Sequence, residues 1–594
     1  MFKFFIYHYL ILMVAIMSFW GIGHLVARSS SAIGDLGNIR HPIQTSLGLG
    51  IVICLIQLIS ILGFLNFTAL ALIIAVGVVI SSVRLFSYFQ DKNQRKTFFE
   101  GCKSLGKSRK IYIFSLVLCV LPTLLKPLHP PTSWDEVMYH LPHAQQWVMA
   151  GKLTVNEWIR YPWFPYNYEL LYAAGMILVD DIFPHLLHAL AGWLTAVLIY
   201  QVAKRYFDSF VAVLSVLIWL QISRSYFGNA YIDMGLTLFI VAAVISFYSW
   251  SENPKNNALL YVAAFFMGLA AGTKYQALMF LPIFFVLLVV KRVKVEVFLK
   301  LTLLFLIPCA YWYFRNFVIT GDPFSPMGGK IFGFYDWNAE DFRSQFIELG
   351  TVKGWPEWLL WAAPFCLLNK EVYAKRFIRS LVIFCAYSVA VWMIISHYPR
   401  YLLPLYPLLA VFSAAGVVYI AKFLFGKITK TTINEISTEA EKIRKSWLVI
   451  SSILLIAFMI SGLSATKSSL KYVAWNDSVR EKVLKKRIPG YEAIEFQNKY
   501  AKGNTYQFGM EYAVYYMKNQ TWGDHFGPGR YRDFVDLSSS DLHDKLVRMG
   551  FENLMINQDV FKSISLKEDF ACYFSEMYKS DPVVLYKIKS SREC

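Results

Sequence analysis

Two adjacent acids, Asp135 and Glu136 in "PTSWDEVMYHLPHAQQW" (131–147), stand a few residues after an apolar run that ends near residue 126. Carboxylates in such a place either start a helix or do chemistry, as a general base or as ligands of a divalent cation such as Mg or Mn. Ser133 is a fitting N-cap for a helix beginning at Trp134, with both acids in its first turn, where they complement the helix dipole. Capping explains one acid well and leaves the other over. Tyr139, His140 and His143 follow at spacings that put polar tips on the acids' side, and Pro142 is a point where that helix would break. A third acid, Asp233 in "NAYIDMGLTLF", opens another apolar run; it reads both as an N-cap and as a functional group at a membrane boundary.

Cations stand at comparable points. Lys274 in "GLAAGTKYQAL" lies between two apolar runs, where Gly268 and Gly272 allow a tight turn. Arg315 and Asn316 in "YWYFRNFVITGDPFSP" come one turn before a loop, and Arg400 and Tyr401 in "SHYPRYLLPLYP" stand at another helix end. One such cation is explained by snorkelling towards lipid headgroups. Three on one side suit a phosphate or pyrophosphate, which Arg grips bidentately and Lys meets as a point charge. A carboxylate base with cations for a departing phosphate suits group transfer from a lipid phosphate. The stretch "GKLTVNEWIRYPWFPYNYELLY", with Trp158, Tyr161, Trp163, Phe164, Tyr166 and Tyr168, reads as an interfacial aromatic belt, with sugar stacking as the alternative.

The elements that position these residues are membrane helices. Of 594 residues, 56% are hydrophobic and 16% charged, which makes the chain polytopic rather than soluble. Lys and Arg number 58 against 40 Asp and Glu, and the surplus gathers in short loops, a sign of topology and not of nucleic-acid binding. Apolar runs lie near 4–26, 44–65, 67–86, 111–126, 182–203, 210–226, 234–250, 258–273, 275–291, 299–319, 357–369, 380–397, 402–421 and 447–465, giving about 11–14 transmembrane helices. Basic loops at 87–110 (Lys92, Arg95, Lys96, Lys103, Lys107, Arg109, Lys110), Lys204–Arg205, 291–300, 370–379 and 422–446 mark the cytoplasmic side. Alternation then leaves 127–181, 227–233, the junction near Gly272, 320–356 and everything after about 466 outside, with Met1 outside too unless the first run is re-entrant. The first run is too long for a signal-peptide core and lacks a clean cleavage site. The eight cysteines show no metal-ligand or paired spacing, and Cys54, Cys119, Cys309, Cys366 and Cys385 read as packing residues inside apolar runs.

Three regions are expected: an N-terminal hydrophobic extension of about three membrane segments (1–110), a transmembrane module (111–465) with the outer loop 127–181, and a small α/β domain outside the membrane (466–594). The last follows from alternating short strand-like and helix-like runs, ending in the strand-like "DPVVLYKIK".

In order along residues 111–420, "SWDEVMYHLPHAQQW", "NAYIDMGLTLF", "GLAAGTKYQAL", "YWYFRNFVITGDPFSP" and "PRYLLPLYPLLA" resemble the bacterial polytopic GT-C glycosyltransferases of the protein O-mannosyltransferase and lipid A aminoarabinose transferase type. The resemblance implies inverting transfer of a sugar from a polyprenyl phosphate to an acceptor hydroxyl at the outer face of the bacterial inner membrane. The acceptor would be a glycolipid, a polysaccharide or a protein. It implies Asp135 as the base, Glu136 assisting acceptor or metal contacts, Asp233 as the second-loop acid, and Lys274, Arg315 and Arg400 on the donor phosphate. Tyr139, His140, His143, Asn316 and Tyr401 join them as candidate substrate-binding residues, and Asp135 with Glu136 are the candidate ligands of a divalent cation. This chain departs from the family in its three runs before residue 111 and in the His-Leu-Pro-His step at 140–143, which leaves the acceptor open.

Other readings predict different features. An ion-coupled transporter would place acids mid-helix in repeated, interrupted spans, whereas these acids sit at span ends and no repeat is visible. A glycan ligase or polymerase would share the outer site but move a whole oligosaccharide. A membrane scaffold would tolerate loss of the Asp135 carboxylate.

Overall fold

The computed structural model describes residues 1–28, 31–90, 110–254, 256–351, 353–430 and 436–594, so most of the basic stretch 87–110, including Lys92 to Arg109, lies outside the described residues. Ten described helices are long and apolar enough to cross a membrane, and four shorter apolar helices, Ser209–Ile222, Ala258–Ala271, Tyr275–Val290 and Trp358–Leu368, complete the bundle. Their places match the apolar runs of the sequence. The Asp233–Glu252 helix is apolar nearly all round and 94% of its span is buried, whereas only 17% of the Phe67–Gln90 span is. The first is the axis of the bundle and the second faces lipid.

The first three spans form a tight group. Glycines permit this: a Cβ at Gly21 would meet the Gly77 carbonyl oxygen at 2.1 Å, and one at Gly48 would meet that of Phe19 at 1.7 Å. Small residues at a crossing let helix backbones close up where lipid supplies no hydrophobic drive. His8 reaches Asp180 at 2.8 Å and the Tyr9 hydroxyl donates to the Leu124 carbonyl at 2.5 Å. The start of the first helix therefore lies at the same end as the 127–181 loop. It crosses the bundle and is not re-entrant.

The opening motif is helical from Trp134, but not as a plain α-helix. Residues Glu136–His140 form a π turn, with the Leu141 N–H bonded to the Glu136 carbonyl, before the α-helix Leu141–Ala150. Pro142 crowds the turn before it and has no N–H to give, and the wider turn accommodates it without a break. Gly272 stands in the turn that ends the Ala258–Ala271 helix, as expected, whereas Gly268 lies inside that helix. Their bare Cα atoms let helices approach, since a Cβ would lie 2.0 Å from the Phe305 carbonyl and 2.2 Å from the Asn167 amide, respectively.

The C-terminal domain is a mixed five-stranded sheet of β1 (Asn504–Phe508), β2 (Thr521–Trp522), β3 (Phe551–Asn557), β4 (Phe574–Ser580) and β5 (Val583–Ile588), in the order β2-β1-β3-β5-β4. β1 pairs parallel with β2 and β3, and β5 pairs antiparallel with β3 and β4. Helices cover it, among them Asp477–Arg487, Tyr491–Tyr500 and Ser539–Arg548, leaving two apolar clusters on its faces. Cys572 and Cys594 form a disulfide, a pairing that cysteine spacing had not suggested.

This domain sits on the 127–181 loop. Arg160 grips Asp524 at 2.8 Å, Arg480 pairs with Asp181 at 2.5 Å, and the Tyr516 hydroxyl donates to the Pro131 carbonyl at 2.5 Å. Trp158 stacks on Trp522 with ring centres 4.3 Å apart. Trp163, Tyr166 and Tyr168 are buried, and the Trp163 indole donates to Asp336. The aromatic stretch is thus largely packed and not an exposed interfacial belt: Trp158 meets the C-terminal domain, while Tyr166 and Tyr168 lie within the bundle.

Candidate active site

Five distant segments converge at this end of the bundle. Asp135 Oδ2 accepts a 2.6 Å hydrogen bond from Arg400, which stands in the turn Pro399–Leu405. Lys274, in the junction after the Ala258–Ala271 helix, donates to Asp233 Oδ1 at 2.9 Å. Tyr401 links the pairs: it follows Arg400 in the chain and its ring lies 4.9 Å beneath the Lys274 ammonium. Arg400 in turn lies over Tyr231 at 5.3 Å and Tyr398 at 5.7 Å, and it feels both Asp135 and Asp233. Tyr139 lies buried near Asp135, its ring edge-on to Tyr161 at 5.1 Å. The side chains of Asp135 and Arg400 are 17% and 21% exposed, so the charges are mostly desolvated yet open to a ligand. Charges so placed act strongly on an incoming anion, because little water screens them.

Asp233 is not an N-cap. It is the first residue of its helix, and the cap position, Ile232, makes no side-chain cap bond. His188 takes that job instead: its Nε2 accepts from the Met234 N–H at 3.0 Å while Nδ1 donates to the Tyr226 carbonyl at 3.1 Å. The Asp233 carboxylate is thereby left for Lys274.

Glu136 differs from its neighbour in every respect. Its Oε1 accepts from the N–H groups of Thr132 at 2.6 Å and Ser133 at 2.5 Å, and its Oε2 accepts from the Ala230 N–H at 2.6 Å and His185 Nε2 at 2.9 Å. The Ser133-to-Glu136 spacing is half of a capping box: the glutamate reaches back to the first orphan donors. Burial acts to raise its pKa, but His185 and the N–H donors win and hold the carboxyl below its ordinary value. Both oxygens are occupied and fully buried, so Asp135 and Glu136 do not fit a chelated divalent ion. Among the described residues, no group of three or more His, Cys, Asp and Glu side chains could hold a metal. The expectation that Glu136 meets acceptor or metal is corrected accordingly: it ties the Asp135 helix to the helix of His185 and to the 229–232 turn.

Of the other predicted binding residues, Arg315, Asn316 and His143 bond to the outer loop, whereas His140 stays beside the pocket, its ring 6.0 Å from that of Tyr231. Arg315 donates to the Asn316 side chain at 2.8 Å and to the carbonyls of Pro162 and Phe164 at 3.3 and 3.4 Å, wedged against Trp163 and Trp312. Asn316 donates to the Trp163 carbonyl at 2.6 Å and also bonds the Tyr275 hydroxyl at 2.9 Å. These two residues fasten the outer loop, Arg315 through its Nε and Nη2. His143 does the same through the Arg160 carbonyl at 3.0 Å. His140 meets Glu169 at 2.6 Å. Burial pushes the Glu169 carboxyl well above its usual range and the His140 imidazole well below its own.

Sequence reading missed His185, His188, Glu169 and Tyr231. A signal existed for the histidines: two in the apolar run "FPHLLHAL" are polar groups that membrane helices keep only with partners.

Beside the Arg400 turn lies an apolar cavity of about 670 Å³ between Trp355, Leu360, Trp361, Val389, Trp392 and Phe412. Trp392 ties it to the site, because its indole donates to the Tyr398 carbonyl at 2.7 Å.

A family model described as dolichyl-phosphate-mannose-protein mannosyltransferase matches residues 173–313, the stretch that carries Asp233 and Lys274. The fold is that of ArnT from Cupriavidus metallidurans, whose crystal structure bound to undecaprenyl phosphate superposes with a TM-score of 0.52 at 15% identity, covering 81% of this chain and 98% of that one. The family model and the fold together support a GT-C glycosyltransferase of the ArnT and protein mannosyltransferase type. The chain is also similar to two proteins of Shigella flexneri. The uncharacterized protein SF2092/S2214 is 30% identical over 146 residues, which are 23% of this chain and 80% of that protein. The uncharacterized protein SF2093/S2215 is 29% identical over 202 residues, 33% of this chain and 96% of that protein. A second family model, described as SF2091/S2213, matches residues 479–587 of the transferase's C-terminal domain.

Proposed function

We propose that the transferase moves one sugar from a polyprenyl-phosphate donor to an acceptor hydroxyl of a glycolipid, polysaccharide or protein, inverting the anomeric centre. The observation that carries this reading is the pairing of Asp135 with Arg400 beside Asp233 with Lys274. Two carboxylates and two cations meet there, and the apolar cavity lies beside the Arg400 turn. That cavity suits the first isoprene units, with the phosphate at its polar mouth.

In this reading the donor phosphate competes with the carboxylates for Arg400 and Lys274. As the cations turn to the phosphate, Asp135 is released from its ion pair to act as a base. Asp135 takes the acceptor hydroxyl proton while that oxygen bonds to the anomeric carbon. The bond from that carbon to the phosphate oxygen breaks, and its electron pair leaves on the phosphate held by the cations. Attack from the side opposite the departing phosphate inverts the centre. Glu136, Arg315, Asn316 and His143 position the loop.

The reaction side is the periplasm, with the chain in the bacterial inner membrane. The Cys572–Cys594 disulfide supports this, since such bonds persist in oxidising compartments. The C-terminal domain, resting on the loop that carries Asp135, forms the wall past which an acceptor must enter. The test is mass spectrometry of envelope glycolipids and glycoproteins with and without the gene. Loss of one monosaccharide is the expected result; loss of whole repeat units would identify a ligase or polymerase instead, and unchanged glycans would overturn sugar transfer.

A further inference from the structure

A second polar cavity, of about 260 Å³, opens at the same end of the bundle, and no residue of the Asp135 and Asp233 pairs lines it. Lys126, His129 and Arg487 face it together with the hydroxyl-bearing Ser133, Ser225 and Ser468, and no acid does. Neither Lys126 nor Arg487 has a carboxylate partner among the described residues; Arg487 instead lies 4.3 Å over the Tyr472 ring, with Lys486 at 5.7 Å. Cations gathered without a counter-charge, in a space far larger than the roughly 10–15 Å³ that one water needs, describe a receptor for an anion.

Its position narrows the anion. The helices Lys110–Leu125 and Ile436–Leu470 run side by side in the same direction, Gly462 packed on Leu118 and His129 bonded to the Ser469 carbonyl at 2.8 Å. Both leave the bundle beside this cavity, at the boundary where lipid headgroups lie. The third wall is the helix Asp477–Arg487, the first of the C-terminal domain.

We propose that this cavity binds a phosphate group, presented by a lipid headgroup or by a soluble phosphate, with Lys126 and Arg487 supplying the charge and the serine hydroxyls hydrogen bonds. It is a separate site from the one proposed for the donor phosphate, and the inference does not rest on the sugar-transfer reading. An ammonium, a guanidinium and several hydroxyls match the charge and the lone pairs of a phosphate. A bound phosphate would pin the C-terminal domain to the bundle end.

The test uses the full chain in nanodiscs with two probes: a photoreactive phosphatidylglycerol and inorganic phosphate. Photolabelling on peptides spanning 126–133 and 468–487, undisturbed by inorganic phosphate, is the result for a headgroup site. Calorimetric binding of inorganic phosphate without such labelling is the result for a soluble ligand. In either case the double variant Lys126→Gln with Arg487→Gln is expected to weaken binding by about tenfold or more, the weight of one to two charge-assisted contacts. Lys485→Gln removes a like charge from the same helix, but Lys485 already pairs with Glu481 at 2.8 Å and Glu492 at 3.2 Å, so binding should not change. Absence of both labelling and heat, labelling confined to other peptides, or a double variant that binds as the wild type does would overturn the proposal. If the double variant does not fold, the map of labelled peptides and the phosphate titration on the wild type decide.

Discussion

The pocket around Asp135 and the knot around Glu136 start at consecutive residues, yet one holds its charges at the edge of water and the other keeps them dry. Asp135 has a single strong partner, Arg400, and remains partly exposed; Glu136 has four, and none of it reaches solvent. A charge whose every lone pair is spoken for can only hold structure. A charge with one partner that a ligand can displace is free for chemistry. The same contrast separates the cations: Arg400 and Lys274 face replaceable carboxylates, whereas Arg315 turns its Nε and Nη2 to Asn316 and two carbonyls.

Substitutions can break this contrast, and the largest effect belongs to the knot. Glu136→Gln leaves His185 without its charged partner and gives the buried site an amide where only acceptors fit. It is expected to destabilise the fold by roughly 3–5 kcal/mol, read as thermal unfolding in detergent. Wild-type stability would mean that Glu136 anchors nothing. Next comes Arg400→Gln, expected to weaken polyprenyl-phosphate binding by about 2–3 kcal/mol with little change in melting temperature, measured by titration of the lipid phosphate. A collapse of stability with donor affinity intact would move Arg400 from the pocket to the scaffold. Lys274→Gln should do the same more weakly, about 1.5 kcal/mol, because a lysine offers one point charge and no fork.

The smallest effect sharpens the contrast at the rim. Burial raises the Asp336 carboxyl to about 6, although the Trp163 indole, donating to it, pulls the other way. Its folded-state value thus exceeds the ordinary 3.8. The stability it lends is complete below about pH 4 and is lost as pH rises through about 6. Docking of the 330–346 segment, followed by hydrogen exchange, should therefore loosen over that window in the wild type and not in Asp336→Asn. A flat wild-type profile would remove Asp336 from the docking contacts.

Much of this arrangement was legible in the chain. Apolar run lengths located the spans because a bilayer demands internally bonded helices of fixed length. The acids and cations at span ends were visible as costly residues in greasy surroundings. What could not be read was which of them face one another. Glu136 and Asp135 differ by one step of a helix, and the π turn that fixes their directions arises from Pro142 and from tertiary partners at 185 and 230. Arg315 looked like a phosphate ligand because its spacing says nothing about the carbonyls of Pro162 and Phe164, about 150 residues away in the chain. The Cys572–Cys594 bond escaped for a similar reason: the fold brings Cys594 back onto the short helix Phe570–Tyr573 that precedes β4.

The central claim is that Asp135 is the base, while Arg400 and Lys274 hold the departing phosphate. The most direct measurement is single-turnover sugar transfer by Asp135→Asn in nanodiscs, with donor binding measured on the same sample. The account predicts donor affinity within about threefold of wild type or tighter, since Arg400 loses a competitor, and a transfer rate lower by roughly 10²–10⁴-fold. Transfer at the wild-type rate with donor bound would contradict it, and the base would have to be sought elsewhere in the pocket.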